Sequence, residues 1–152
     1  VKLAEALISR ADCQKRIAQL QQRLVRSAKV QEGEQPPENP QELMVELDAI
    51  STELTSLIQR INRTNSITEF QGKTLADALA ERDVLQQMWN TYNSLIQTAS
   101  IRQDRYSRSE VRFISTVDIA EIQRKIDNLA REYRQLDSQI QAMNWQTELV
   151  EA

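Results

Sequence analysis

The chain has 152 residues, of which 40% are hydrophobic, 27% charged and 5% aromatic, with only two glycines and three prolines. So few turn-forming residues exclude a sandwich or barrel of many short strands and leave long helices as the building material. A net charge of −3 argues against a general nucleic-acid binder, and the absence of histidine removes Ser-His-Asp triads and most catalytic zinc sites.

The first residues alternate apolar positions with Lys2, Glu5, Arg10 and Asp12, which does not read as the apolar core of a signal peptide. Helical spacing begins at Leu3 and continues to about Ala28, with Leu3, Ala6, Cys13, Ile17, Leu20 and Leu24 on one stripe. The acidic, proline-containing connector Gln31-Glu32-Gly33-Glu34-Gln35-Pro36-Pro37 cannot continue it. A second helix starts sharply: Asn39 is a capping residue, Pro40 suits the first helical position, and Glu42 can reach back to the cap. Leu43, Leu47, Ile50, Leu54, Leu57 and Ile61 then alternate spacings of four and three, which aligns all six. The polar run Asn62-Arg63-Thr64-Asn65 predicts its end, followed by a loop through Gly72.

Thr74 and Asp77 form a capping pair for a third helix with the stripe Leu75, Ala78, Leu85, Trp89, Tyr92, Ile96 and Ala99. A fourth helix opens near Thr116 or Asp118, with Glu121 placed to cap the latter, and shows Ile119, Ile122, Ile126, Leu129, Tyr133, Leu136, Ile140 and Met143. The prediction is an all-α chain, a single helical domain over residues 1–152, with four long helices in antiparallel hairpins. An isolated amphipathic helix is marginal in water, so these helices must pack on one another, on another copy, or both. Charge interrupts two stripes, at Arg10 and Arg82. Each either lays its stem over apolar surface at a bundle edge or pairs with an acidic residue across an interface and fixes register.

Residues 100–117 make a long connection for a helical hairpin. It holds Arg102, Arg105, Arg108 and Arg112 against Asp104 and Glu110, with Tyr106 and Phe113 interleaved. Arginine beside aromatic rings is a recipe for phosphate contact and base stacking; equally, the arginines can pair with carboxylates of a neighbouring helix or subunit. Fourteen of the 19 basic residues are arginine, whose planar fork suits interfaces. Alternation around Val111 and Phe113, and again in Trp145-Gln146-Thr147-Glu148-Leu149, predicts a short β element near 109–115 and 145–150.

No chemistry-bearing constellation emerges. Glutamates and aspartates fall mostly on outer helix positions, Gly33 and Gly72 are isolated, and the lone Cys13 lies on the apolar stripe as a buried structural thiol. No run approaches the ~20 apolar residues that cross a bilayer. The residues therefore predict a cytoplasmic, non-enzymatic protein with no cofactor, no metal and no membrane partner. They predict a homo-oligomer that works by protein–protein contact, or alternatively an RNA- or anion-binding module using Arg102, Arg105, Arg108 and Arg112.

The runs Lys2-Leu3-Ala4-Glu5-Ala6-Leu7, Val30-Gln31-Glu32-Gly33-Glu34, Ile61-Asn62-Arg63-Thr64-Asn65, Arg102 through Glu110, and Asn144-Trp145 together resemble bacterial proteins labelled septicolysin-like. The resemblance spans essentially the whole chain and implies a small helical protein without an established activity. Thiol-activated cytolysins carry a tryptophan-rich motif around their cysteine, whereas Cys13 is flanked by Asp12, Gln14 and Lys15.

Overall fold

The computed structural model describes residues 1–100 and 111–151. Four helices account for most of them: α1 (Leu3–Arg26), α2 (Pro40–Ile67), α3 (Leu75–Ala99) and α4 (Ile119–Gln146). A two-stranded hairpin, β1 (Glu69–Phe70) and β2 (Lys73–Thr74), lies between α2 and α3. The chain is therefore all-α, as its periodicity predicts. It divides into two compact units, Val1–Leu75 with Gln141–Ala152, and Ala76–Ile140.

In the first unit, α1 and α2 form an antiparallel hairpin. Cys13, Leu20, Leu43 and Ile50 make its buried cluster, with Ile17, Leu24, Leu47, Leu54 and Leu57 packed against them. These are the stripe residues read from the heptad spacing, because a 3.5-residue repeat keeps one edge of each helix facing the other. The connector is held down by Glu38, whose carboxylate accepts from Arg23 Nε at 2.9 Å and Nη2 at 2.5 Å. Asn39 Oδ1 accepts from the Gln41 amide at 2.9 Å, so the expected cap is in place.

Helix α2 runs past Asn62-Arg63-Thr64-Asn65 to Ile67. The polar run does not stop it, because Thr64 is buried and its hydroxyl accepts from the Val150 amide at 3.0 Å. Arg60 Nε donates to the Val150 carbonyl, and Leu3 N donates to the Thr147 carbonyl at 2.8 Å. The C-terminal segment thus ties the start of α1 to the end of α2, and tertiary contact overrides weak local propensity. After α2, Gln71 (φ 50°) and Gly72 (φ 82°) make the two-residue turn of the β1–β2 hairpin. Positive φ at both central residues matches the twist that tight hairpins require. Buried Phe70 anchors the hairpin.

The short β element expected near 109–115 and 145–150 is reduced in the structure to a single bridge. Residues 111–115 form no strand, and 109–110 lie outside the described residues. Trp145 and Gln146 complete α4, and beyond them Glu148 makes one isolated antiparallel bridge to Lys2. Alternation alone does not make a strand, and at Trp145 the helical hydrogen bonds are already available.

In the second unit, α3 and α4 run antiparallel. Asp118 Oδ1 accepts from the Glu121 amide at 3.2 Å and caps α4 as its sequence predicts. Arg82 Nη1 lies 2.9 Å from Asp137 Oδ1, and Lys125 Nζ sits 5.4 Å from the centre of the Tyr92 ring. Ten residues forward on α3, from Arg82 to Tyr92, correspond to twelve back on α4, from Asp137 to Lys125. The two helices therefore keep close to one register along this stretch. Ile126, Leu129 and Ile140 are buried, whereas Leu85, Trp89, Tyr92 and Ile96 are each only partly covered.

Candidate interaction face

Partial coverage of α3 follows from its sequence. Leu85, Trp89 and Tyr92 lie beside Glu132, Tyr133 and Lys125 of α4, with Ile96 on the same stripe, but Val84, Met88 and Leu95 form a second apolar stripe. At 3.6 residues per turn these three lie within ~40° of one another and about 90° round from the first stripe. A single neighbouring helix covers one stripe, not two. Val84 is 52% exposed, Met88 41% and Leu95 36%.

Both ends of the second stripe open into grooves. One, of about 500 Å³, is lined by Ala80, Glu81, Val84 and Leu85 of α3 and Glu132 of α4. The other, of about 480 Å³, lies between Leu95 and Ala99 and the segment Phe113 to Val117. Phe113 and Ile114 stand out here at 74% and 81% exposure. Large apolar side chains clustered on one face, with a polar rim, are the marks of a contact surface. The rim is charged at both ends of the stretch: Lys125 sits beside Tyr92, and Glu132 lines the groove two turns further along α4.

Arg102, Arg105, Tyr106 and Arg108 lie outside the described residues. Arg112 and Phe113 are exposed, in the segment leading to α4. Arg82 of α3 is paired with Asp137 of α4 in its own chain. Arg10 is half-buried on α1 and has no carboxylate within ion-pair distance among the described residues. Val84, Met88 and Leu95 were not among the residues that the spacing argument selected, although their own spacing of four and seven could have found them.

Cys13 is 2% exposed, and burial, with Glu53 and Asp12 nearby, pushes its thiol up from the usual value, away from the reactive thiolate. Among the described residues, no three Cys, Asp or Glu side chains converge to hold a metal ion, and no helix is long and apolar enough to cross a membrane. The shifted carboxylates are structural: Arg23 holds Glu38 below the usual range, and Lys2, 2.6 Å from Glu148, does the same there.

Among solved structures, the chain is similar to a functionally unknown conserved protein from Corynebacterium diphtheriae, known from its crystal structure. The two are 52% identical, with 99% of each chain covered and a TM-score of 0.91. Comparison with curated proteins gives no match. Neither the family found nor this neighbour is described as septicolysin-like. By its match over residues 10–149, the chain belongs to DUF6847, a family of unknown function.

Proposed function

We propose that this is a self-associating helical protein that acts through protein–protein contact, and that the second apolar stripe of α3 is the contact face. The observation that carries this reading is the exposure of Val84, Met88 and Leu95 beside a seam that is itself only half covered. Covering what these three side chains expose is worth on the order of 2–4 kcal/mol per copy. Association costs at least about 4 kcal/mol. A stable contact must therefore reach beyond the stripe, and the grooves at its two ends, with Phe113 and Ile114, supply that further apolar surface. On this reading the protein is a cytoplasmic contact module and not an enzyme, with no cofactor, and its likeness to septicolysin-like proteins carries no lytic activity.

Size-exclusion chromatography with light scattering tests the reading. The wild type is expected to elute above 17.6 kDa at high concentration. Val84→Glu, which places a charge on the stripe, is expected to return it to that mass. A 17.6 kDa wild type at every concentration overturns the reading.

A second reading, RNA or anion binding by Arg102, Arg105, Arg108 and Arg112 with Tyr106 and Phe113, draws support from the exposed side chains of Arg112 and Phe113. It requires retardation of RNA that weakens steeply with salt as counterions are released. The absence of any retardation at low salt removes it.

A further inference from the structure

The contact reading leaves open how the partner sits, and the charge pattern on α4 answers that. We infer that a second copy of this chain docks antiparallel on the α3 face, about a two-fold axis passing at the level of Met88 on α3 and Leu129 on α4, so that Lys125 of each copy meets Glu132 of the other. This inference rests on the self-association reading and adds its symmetry and register.

Three observations lead to it. First, the exposed stripe extends to both sides of Met88, with Val84 four residues before it and Leu95 seven after. Thr91 and Tyr92 stand opposite Val84 in an antiparallel pairing. Second, the Arg82–Asp137 and Tyr92–Lys125 pairs set Met88 level with Leu129 and Ala130. Lys125 and Glu132 are seven residues apart, and the midpoint between them lies within one residue of Leu129. A two-fold axis at this level exchanges the two positions, so each lysine comes to a glutamate. A parallel docking sets Lys125 on Lys125 and Glu132 on Glu132, and like charges at close range oppose association. Third, the same axis carries the end of the face bearing exposed Phe113 and Ile114 onto the partner's groove at Ala80, Val84 and Leu85. One copy supplies apolar projections where the other supplies a groove, twice, which is the self-complementarity of an isologous dimer. The product is a four-helix arrangement in which two hairpins share one apolar centre.

Two measurements test this docking. In sedimentation equilibrium, Lys125→Glu or Glu132→Lys alone is expected to raise the dimer dissociation constant about tenfold, because two symmetric pairs become repulsive together. The double variant restores both pairs in swapped form and is expected to bind like the wild type. Both residues are exposed on α4, so helicity by circular dichroism should not change. In a Cys13→Ser background, mild oxidation is expected to cross-link Met88→Cys, which lies at the axis. Leu95→Cys should not cross-link, since it lies ~10 Å along the helix from the axis in each copy. Cross-linking of both, as a parallel docking gives, overturns the inference. So does a dimer that the double variant fails to restore, or one that Met88→Cys does not trap; in these cases self-association itself stands. A wild type that is monomeric throughout removes the self-association reading as well.

Discussion

The two helical hairpins share one construction rule and differ in how far they satisfy it. Between α1 and α2, the seam residues Cys13, Leu20, Leu43 and Ile50 are each less than 5% exposed. The C-terminal segment adds ties from Thr147 to Leu3 and from Val150 to Arg60 and Thr64. Between α3 and α4, the α3 seam from Leu85 to Ile96 stays half covered, and a second stripe beside it is exposed. Equivalent heptad spacing therefore does not imply equivalent burial. A helix with one apolar stripe is satisfied by one neighbour, whereas α3, with two, still presents apolar surface after α4 has packed on it.

This contrast can be broken by truncation. Ile50→Ala removes a side chain at the centre of the α1–α2 cluster and is expected to cost about 3–4 kcal/mol in urea unfolding. Leu85→Ala, measured at concentrations where the chain is monomeric, is expected to cost about 1–2 kcal/mol, because its site is already partly solvated. Equal costs at the two sites would show the second seam to be as closed as the first.

A smaller effect is expected at the hairpin turn. Gly72 has φ 82°, and nothing lies within 4 Å of where a Cβ would project. Gly72→Ala therefore meets backbone strain alone and is expected to lower stability by about 1–2 kcal/mol. No loss would mean that the turn adjusts freely.

The smallest effect is a pH dependence confined to the first unit. Arg23, through its hydrogen bonds, holds the Glu38 carboxyl below the usual carboxylate range. A group with a lowered folded-state pKa contributes stability above its unfolded pKa, and the contribution is lost as pH falls through the folded value. The pair is substantially solvent-exposed, so the contribution is modest. Glu38→Gln is expected to lower the melting temperature slightly at neutral pH, with the difference from wild type vanishing in acid. A difference that persists in acid would assign the effect to packing.

What the sequence conveyed follows the strength of its periodicity. The α1–α2 stripe was legible residue by residue, as were the caps at Asn39 and Asp118, because each rests on a local rule of spacing or hydrogen bonding. The end of α2 was misread, since Asn62-Arg63-Thr64-Asn65 looks like a stop until Val150 arrives from the other end of the chain to use the Thr64 hydroxyl. The hairpin at 69–74 escaped because two-residue strands carry no period, and Gln71 is an uncommon residue for a positive φ. The alternation at Val111 and Phe113 misled, since residues 111–115 form no strand. On α3, reading a single seam hid the second stripe, whose residues Val84, Met88 and Leu95 stay exposed.

Sedimentation equilibrium of the wild type beside Met88→Glu tests most directly whether a second copy covers that exposed stripe. The expected result is a wild-type mass that rises with concentration from 17.6 kDa toward twice that value, while Met88→Glu stays at 17.6 kDa with unchanged helicity. A wild type that remains at 17.6 kDa throughout, or a Met88→Glu variant that associates as well as the wild type, contradicts it.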